Sequence, residues 1–386
     1  MKKICIVTAT RAEYGLLKNI IVKLKKIRDF EVNIVATGMH LSPEFGFTYK
    51  EIENDGFKID EKIEILLSSD TPVSISKSMG LAIISFAEYF SRTKPDMLIV
   101  LGDRYEMLSV CCAAMNERIP IAHLYGGETT EGAIDECIRH SITKMSYLHF
   151  TSTEEYRNRV IQLGENPDRV FNVGSMGVEN ALNIKLMDKK SLEDSIGFKL
   201  DKEYAIVTFH PATLEKNTVK VQFESILKAC DKYSDLKYIF TKSNCDEGGR
   251  LINNMIDDYV LNHNNAVCFE SLGVVRYLSA VKHSYMVIGN SSSGIVEVPV
   301  FKVPTINVGD RQKGRICGST ILNCKADLND ICLNIEKAIS IEFRNNIKNS
   351  TNLYGDGNTS DKIVSTIKEF LNKNDIDLKK KFFDLI

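Results

Sequence analysis

Short runs of apolar, mostly β-branched residues alternate along this chain with longer stretches in which apolar positions recur every three or four residues. The first series of short runs covers residues 3–8, 32–36, 97–101, 120–124, 147–151 and 170–173. A second series covers residues 204–209, 238–240, 266–269, 285–288 and 305–308. Such runs are typical of parallel strands that helices cover on both faces. The pattern therefore predicts an α/β protein with two parallel sheets, each in a Rossmann-like half.

The length of the chain also predicts two domains, because 386 residues exceed what a single core usually supports. We place the boundary where a predicted strand ends in a stretch of small residues, which gives domains at 1–172 and 173–361. The charged segment 362–386 is expected to form a helix that packs back on the first domain. A ligand between two such halves would face the carboxyl ends of both sheets.

Charge and cysteine content narrow the function classes. The 49 basic and 51 acidic side chains nearly balance, so the chain has no overall field for a nucleic acid or an anionic membrane, although a local cluster could bind a small anion. The ten cysteines form no C-x-x-C pair, which is typical of reduced thiols in a cytoplasmic protein. The amino-terminal apolar run of four residues is too short for a signal peptide, and no apolar run is long enough to span a membrane.

Ionisable residues are concentrated after two of the predicted strands. Nine of those between Leu101 and His140 are Asp103, Glu106, His123, Glu128, Glu131, Asp135, Glu136, Arg139 and His140. Glycines interrupt this segment, so it is expected to form turns at the sheet edge where open α/β folds bind ligands. Acids gathered in this way suit acid–base catalysis, although a solvated helix face could also be rich in carboxylates.

A second candidate site follows the predicted strand at 285–288. The residues that open the next predicted helix are Gly289, Asn290, Ser291, Ser292 and Ser293. Free backbone N–H groups, hydroxyls and the positive end of a helix dipole would bind a diphosphate there. Glu297, about two turns into the predicted helix, has the reach for the hydroxyls of a ribose. The same residues could also form an ordinary helix N-cap.

Basic side chains that could bind the phosphates follow other predicted strands. Arg11 lies in the loop after the first strand, and Lys242 and Arg311 follow strands of the second half. Arginine suits a phosphate because its planar fork donates two hydrogen bonds at once, but each of these residues could equally be a surface charge. His210 ends the strand predicted at 204–209 and is expected to face the ligand or to be structural.

Several familiar cofactor motifs are missing. There is no G-x-G-x-x-G after the first strand, no G-x-x-x-x-G-K-[ST] and no zinc-ligand spacing of histidines and cysteines. The only Asp-x-Asp pair, Asp375-Ile376-Asp377, lies in the polar tail. We therefore expect no cofactor and no obligatory metal ion.

Taken together, the motifs resemble one enzyme family over almost the whole chain. They are Arg11-Ala12-Glu13-Tyr14, Thr37-Gly38-Met39-His40, Leu101-Gly102-Asp103-Arg104-Tyr105-Glu106, His123-x-x-Gly126-Gly127-Glu128, Asp135-Glu136-x-x-Arg139-His140, His210-Pro211, Gly289-Asn290-Ser291-Ser292-Ser293-Gly294 and Gly309-Asp310-Arg311-Gln312. In this order they resemble the UDP-N-acetylglucosamine 2-epimerase family, and most closely its hydrolysing branch from bacterial sialic acid synthesis.

That resemblance implies a GT-B-like fold of two Rossmann-type domains with a substrate cleft between them. It implies the conversion of UDP-N-acetylglucosamine and water to N-acetylmannosamine and UDP. By similarity, Asp103 and Asp135 match catalytic acids, and His210 matches a histidine of the cleft. The residues that match the nucleotide-binding set are Arg11, Ser291, Ser292, Glu297 and Arg311.

The chain departs from the family pattern at one position. Many relatives have H-x-E-G-G where this chain has Tyr125 two residues after His123. The missing acid is then replaced by Glu128 or by Glu131, or is dispensable here. Asp103 and Asp135 are therefore the firmer catalytic candidates.

The implied chemistry explains why two acids are needed. The proton on C-2 of the sugar becomes acidic only when the bond between C-1 and the phosphate stretches first. One carboxylate then removes that proton to leave a glycal, and an acid returns a proton to C-2 while water adds at C-1. We expect Asp103 and Asp135 to divide these roles, with mutual repulsion keeping one of them protonated.

Three other functions fit the same motifs. The first is the same hydrolysis of a UDP-2,4-diacetamido-2,4,6-trideoxy sugar, as in legionaminic acid synthesis. The second is a non-hydrolysing epimerase that returns the sugar to UDP. The third is a sugar-nucleotide binding protein without catalysis, which would have no use for several acids near the anomeric carbon. A homodimer is the expected assembly for a cytoplasmic enzyme of this size.

Overall fold

The computed structural model describes residues 1–69, 71–131, 133–212, 218–243, 248–373 and 377–385. The chain divides into two compact units. The first unit comprises Met1–Glu128, Asp135–Glu179 and the chain from Tyr354 onward. The second comprises Thr129–Ile134 and Asn180–Leu353, so the divisions fall within one helix and at two loops.

The first unit is built on a seven-stranded parallel sheet with the order β3-β2-β1-β4-β5-β6-β7. Its strands are β1 (Lys2–Thr8), β2 (Phe30–Thr37), β3 (Glu61–Ile63), β4 (Met97–Leu101), β5 (Ile121–Leu124), β6 (Leu148–Thr151) and β7 (Val170–Asn172). Its helices are α1 (Arg11–Lys25), α2 (Tyr49–Asn54), α3 (Pro72–Thr93), α4 (Tyr105–Asn116), α5 (Asp135–Met145), α6 (Glu154–Gln162), the start of α7 (Met176–Asn183) and α15 (Thr359–Leu371).

The second unit is built on a six-stranded parallel sheet with the order β10-β9-β8-β11-β12-β13. Its strands are β8 (Tyr204–Thr208), β9 (Lys237–Thr241), β10 (Ala266–Phe269), β11 (Met286–Gly289), β12 (Thr305–Val308) and β13 (Ile321–Cys324). Its helices are α8 (Lys189–Ile196), α9 (Val219–Lys232), α10 (Gly249–Asn262), α11 (Gly273–His283), α12 (Ser293–Val296), α13 (Leu328–Ile339) and α14 (Ile341–Ile347).

Both faces of each sheet are covered, as the uniformly apolar strands predict. In the first unit, successive residues of β4 point to opposite faces, with Ile99 in the core beside α1 and Val100 in the core beside α3 and α4. Burying each such side chain stabilises the fold by about 1.5–3 kcal/mol. The two parallel Rossmann-like sheets predicted from the apolar runs are therefore confirmed.

Helix α15 closes the core of the first unit although it is remote in sequence. Its Ile363, Ile367 and Phe370 are buried in the same core as Leu17 and Ile20 of α1. The carboxylate of buried Glu179 caps the start of α15, where its Oε2 accepts the backbone N–H of Ser360 at 2.8 Å. The carboxyl-terminal segment thus completes the sheet's helical layer.

Two features of the chain differ from the prediction. The short edge strands β3 and β13 are absent from the predicted series, and β3 has the sequence EKI, in which only the last residue is apolar. The helix predicted over 362–386 occupies only Thr359–Leu371. Residues 377–385 form no regular element, and residues 374–376 and 386 lie outside the described residues.

The last features of the described residues are the cysteines and the hydropathy of the helices. Nine cysteines of the described ranges are free, and Cys5 is among the buried ones, where burial raises the pKa of its thiol to about 12. Cys245 lies outside the described residues. No helix in the part of the chain that the structure describes is long and apolar enough to cross a membrane.

Candidate functional site

The strand order of each sheet creates one switch point where the chain direction of the crossovers reverses. In the first unit this point lies between β1 and β4, and in the second between β8 and β11. Open α/β sheets bind ligands in the crevice outside the carboxyl ends of strands at such a point. The candidate residues follow these strands and their neighbours in both units.

Three acids lie at this edge of the first sheet. Asp103 follows β4 directly after Gly102, whose φ of 80° is a left-handed conformation that glycine adopts without strain. Glu128 lies in the loop after β5, is only 4% exposed, and accepts a hydrogen bond from Ser152 Oγ at 2.9 Å. Asp135 is the first residue of α5.

Arg139 connects the elements that carry these acids. Its fully buried guanidinium, on the second turn of α5, donates to the backbone carbonyl of Glu128 at 2.9 Å and to Glu136 Oε2 at 2.7 Å, and it also pairs with the carboxylate of Asp103. The sequence predicts Arg139 only as one of the ionisable residues of this segment, without a specific role. Its position four residues after Asp135 was the available signal, since that spacing puts both residues on one helix face.

The other ionisable residues of this segment do not all join the three acids. Glu106 is fully buried, and its carboxylate accepts hydrogen bonds from Arg104 at 3.2–3.4 Å. His140 Nε2 lies 3.1 Å from Glu136 Oε1 on the same helix. Glu131 belongs to the second unit, where its backbone N–H donates to the carbonyl of Lys313.

The structure clarifies the departure at Tyr125. This residue has a φ of 69°, and its hydroxyl lies 2.8 Å from Ser175 Oγ and accepts the backbone N–H of Gly177 at 3.3 Å. The phenol is therefore tied to the start of α7. Of the two acids that could replace the missing glutamate, Glu128 shares the first unit with Asp103, whereas Glu131 does not.

The helix after β1 begins with the first candidate cation, which the sequence predicts in the preceding loop. Arg11 is the first residue of α1, and its Nη2 lies 2.6 Å from Glu51 Oε1. Glu13 caps this helix by accepting the backbone N–H of Ala9 at 2.7 Å. Burial raises the pKa of Glu13 to about 7, although the Arg104 guanidinium acts in the opposite direction.

His40 fixes the neighbouring loop after β2. The buried ring lies 3.0 Å from Thr8 Oγ1 through Nε2 and 2.9 Å from Thr48 Oγ1 through Nδ1. Burial lowers the pKa of His40 to about 4, so the ring is neutral at physiological pH. It therefore holds the end of β1, next to Arg11, by hydrogen bonds without a charge.

In the second unit, Asn290 connects the ends of β8 and β11. Its side-chain oxygen accepts the backbone N–H of His210 at 2.8 Å, and its side-chain nitrogen donates to the carbonyl of His210 at 2.8 Å. The ring Nδ1 of His210 lies 3.1 Å from Ser243 Oγ. The amide of Asn290 thus positions His210.

The three serines differ in detail from the predicted helix start. The helix α12 has only four residues, so its dipole is small, and Glu297 is its C-cap residue rather than a residue two turns inside. Ser293 Oγ accepts a hydrogen bond from Tyr277 at 2.9 Å. A side chain at Gly289 would collide with the carbonyl of Thr208 on β8, so glycine is required there.

The two remaining cations have different partners. Arg311 follows β12 and donates to the carbonyl of Asn290 at 3.1 Å, which places its guanidinium beside the serine segment. Lys242 instead donates to Asp257 at 3.0 Å and Glu270 at 2.7 Å. Burial acts to lower the pKa of Lys242, but the two carboxylates outweigh it and raise the pKa. With its charge more than offset, Lys242 does not fit the predicted phosphate contact.

No group of three or more histidine, cysteine, aspartate or glutamate side chains that could hold a metal occurs among residues 1–69, 71–131, 133–212, 218–243, 248–373 and 377–385. Asp375 and Ile376 of the Asp-x-Asp pair lie outside these ranges.

Comparison with known proteins places the chain in a family. Residues 22–368 match the family model described as UDP-N-acetylglucosamine 2-epimerase. A Campylobacter jejuni protein named GDP/UDP-N,N'-diacetylbacillosamine 2-epimerase (hydrolyzing) is 48% identical over 385 residues, which cover 100% of this chain and 99% of that protein. Polysialic acid biosynthesis protein P7 of Escherichia coli is 41% identical over 389 residues, covering 100% of this chain and 98% of the relative.

The fold agrees with this assignment. The crystal structure of UDP-GlcNAc 2-epimerase from Neisseria meningitidis bound to UDP-GlcNAc matches with a TM-score of 0.80 at 20% identity, covering 95% of this chain and 100% of the other. The two chains therefore share the α/β, GT-B-like fold with two Rossmann-type domains that the sequence predicts. From the family match and the two full-length relatives, it follows that this chain belongs to the UDP-N-acetylglucosamine 2-epimerase family.

Proposed function

We propose that this protein is a hydrolysing 2-epimerase of a UDP-linked 2-acetamido sugar. The reaction consumes the sugar nucleotide and water and releases UDP and the free sugar with inverted configuration at C-2. The observation that carries this proposal is the set of acids Asp103, Glu128 and Asp135 at one edge of the first sheet, where the buried Arg139, on the helix that Asp135 begins, pairs with Asp103 and donates to the Glu128 backbone carbonyl. A protein that only binds sugar nucleotides has no need of such a group.

The acids are proposed to act in two steps. In the first, the bond between C-1 and the β-phosphate oxygen breaks, UDP leaves with the electron pair, and one carboxylate takes the proton from C-2 to give the 2-acetamidoglycal. In the second, a carboxylic acid delivers a proton to C-2 from the opposite face, water adds its oxygen at C-1, and the proton that this water loses passes to the carboxylate left by the acid. Asp103 and Asp135 divide the two proton transfers, and Glu128 assists as the third acid.

The second unit is proposed to bind the nucleotide. The groups assigned to the diphosphate are the Gly289 backbone, the hydroxyls of Ser291, Ser292 and Ser293, and the guanidinium of Arg311, with Arg11 of the first unit as a further cation. Glu297 is assigned to the ribose and His210 to the reacting end of the substrate. Preorganised donors of this kind stabilise the charge that develops on the departing diphosphate, each by about 3 kcal/mol.

Two substrates are candidates for the sugar. The resemblance in the sequence favours UDP-N-acetylglucosamine, with N-acetylmannosamine as product for sialic acid synthesis. The relative of 48% identity, which is named for N,N'-diacetylbacillosamine, favours the UDP-linked 2,4-diacetamido-2,4,6-trideoxy sugar instead. Comparing kcat/KM for the two sugar nucleotides with one enzyme preparation distinguishes them, since the preferred substrate will have the larger value.

The elimination route is tested by running the reaction in D2O and identifying the products by NMR. We expect free UDP and a reducing 2-epimerised sugar that carries deuterium at C-2. A product without deuterium would refute the route through the glycal. Return of the epimerised sugar as a UDP conjugate would show a non-hydrolysing enzyme, and binding of UDP without turnover of either substrate would show a binding protein.

The assembly and location of the protein remain predictions. The homodimer expected from the size of the chain is tested by light scattering after size-exclusion chromatography. A cytoplasmic location is tested by fractionation of the source cells.

A further inference from the structure

A buried histidine, His123, connects β5 to the loop that carries Asp103. The residue is fully buried, next to the last position of β5. Its ring Nε2 lies 2.8 Å from the backbone oxygen of Gly102, and its Nδ1 lies 3.3 Å from Thr143 Oγ1 on α5. One ring therefore contacts both the segment before Asp103 and the helix that begins with Asp135.

The partners of His123 define the protonation of the ring. A carbonyl oxygen can only accept, so Nε2 carries the hydrogen and donates it to Gly102. Nδ1 is then the acceptor of the Thr143 hydroxyl. Burial lowers the pKa of His123 to about 3, while the hydrogen bond to Gly102 acts in the other direction. The ring is neutral and is not a proton donor or acceptor in catalysis.

The local packing is shaped around this ring. A Cβ atom at Gly126 would lie 3.2 Å from His123 Nδ1 and 3.2 Å from Thr143 Oγ1, closer than side chains normally approach. Glycine at this position therefore lets the loop after β5 run directly over the ring and the hydroxyl. The contact between β5 and α5 is accordingly a polar one with little room to shift.

Side chains from two different elements hold Gly102 and Asp103. His123 holds the Gly102 carbonyl from β5, and Arg139 of α5 pairs with the Asp103 carboxylate. Thr143, one turn after Arg139, joins the ring to α5 again. The backbone carbonyl of Gly102 and the carboxylate of Asp103 are thus both connected to α5, the helix that begins with Asp135.

We propose that His123 is a positioning residue of the 2-epimerase reaction, which fixes Asp103 relative to Asp135 by holding the peptide group from which Asp103 extends. The inference rests on the proposed function, because it assigns Asp103 and Asp135 to the two proton transfers. Misplacement of a catalytic group by about 1 Å can reduce turnover about a hundredfold. His123 acts by fixing the position of Asp103 relative to Asp135, and it makes no contact with the substrate itself.

The test compares two substitutions of His123 with the same pair at His149. His123→Leu removes both hydrogen bonds, whereas His123→Gln retains an N–H donor for the Gly102 carbonyl. His149 is the matched control, because it is equally buried and in register with His123 on β6, but bonds to Glu165 at 3.0 Å. All variants are compared by kcat per folded molecule, by KM and by UDP affinity. Circular dichroism checks that each variant is folded.

We expect His123→Leu to lower kcat by about a hundredfold with KM and UDP affinity within about threefold of the wild-type values. His123→Gln should recover kcat to within about tenfold of wild type, and His149→Leu should leave kcat of the folded protein within about threefold. If His123→Leu does not fold, Thr143→Val replaces it, with an expected fall in kcat of about tenfold at unchanged KM.

Two results would overturn the inference while leaving the proposed function intact. One is a wild-type-like kcat in folded His123→Leu and Thr143→Val. The other is an equal fall in kcat for the His123 and His149 variants, which would indicate a general effect of buried polar groups. Failure of the wild-type protein to release UDP from either acetamido sugar nucleotide would instead refute the proposed function.

Discussion

The buried guanidinium of Arg139 offers the sharpest test of how the acidic site is held together. In Arg139→Met the side chain keeps its approximate length and loses its charge and donors. The change removes hydrogen bonds to the Glu128 carbonyl and to Glu136, and the ion pair with Asp103. Two carboxylates then remain in the site without the cation that offsets them.

The expected cost follows from the burial of the three groups. Breaking a buried ion pair by removing one partner typically destabilises a protein by about 3–5 kcal/mol. The Arg139 side chain is 0% exposed, but the Asp103 and Glu136 side chains are 24% and 25% exposed, so water can partly solvate the carboxylates left behind. We therefore expect the lower end, about 3 kcal/mol, which is a large share of the stability of a typical domain.

The matched control is the exposed ion pair of Arg92 and Glu61, whose side chains are 65% and 36% exposed. Arg92 Nη2 lies 2.7 Å from Glu61 Oε2. Arg92→Met should cost at most about 1 kcal/mol, because water and salt already screen an exposed pair. Hydrogen exchange of the β4 and β5 amides at increasing urea concentrations measures the free energy of unfolding of the first unit in both variants. Adding Asp103→Asn to Arg139→Met should restore about 1 kcal/mol by removing one of the abandoned charges. A cost for Arg139→Met no larger than that of Arg92→Met would refute the reasoning.

Three further outcomes are expected. Asp103→Asn should lower kcat by at least about a hundredfold with little change in UDP affinity by calorimetry, and near-normal turnover would remove this residue from the mechanism. Arg311→Ala should weaken UDP binding by about tenfold or more, whereas Lys242→Met, whose charge is already offset by two carboxylates, should change it less than about threefold; the reverse order would contradict the charge assignment. Since burial lowers the pKa values of His40 and His123 to about 4 and about 3, the unfolded chain takes up protons below about pH 6.5 that the folded chain excludes. The free energy of unfolding should then decrease as the pH falls from about 6.5 toward 4, by up to about 1.4 kcal/mol per pH unit for each histidine, and urea titrations in which His40→Gln kept the full pH slope would exclude its contribution.

The sheets were predictable because their strands are apolar on both faces. Buried strands such as β4 (MLIVL) and β12 (TINV) contain few or no charges, so they stand out from the amphipathic helices around them. The edge strand β3, with the sequence EKI, is bonded to one neighbour only and can carry charges, so its pattern carries no strand signal. Prediction from apolar runs therefore identifies the centre of a sheet better than its edges.

The sequence indicated where the candidate acids lie along the chain but not how the side chains of the site connect. Asp103 follows the predicted strand at 97–101, and Asp135 begins the helix after β5. The pairing of Lys242 with Glu270 joins residues 28 positions apart, and nothing in a local motif reports such a contact. The short length of α12 could not be predicted either. The first proline after the serines is Pro299, three residues beyond Val296, where the α-helix ends.

The return of α15 to the core beside α1 has a consequence for biosynthesis. The residues that fill this core come from both extremes of the described chain, so the core around Leu17 and Ile20 is not complete until Ile363 and Ile367 have left the ribosome. The second unit is contiguous apart from one short loop, and it can fold while the first is still incomplete. The nascent protein must therefore protect an open apolar surface for nearly the whole of its translation.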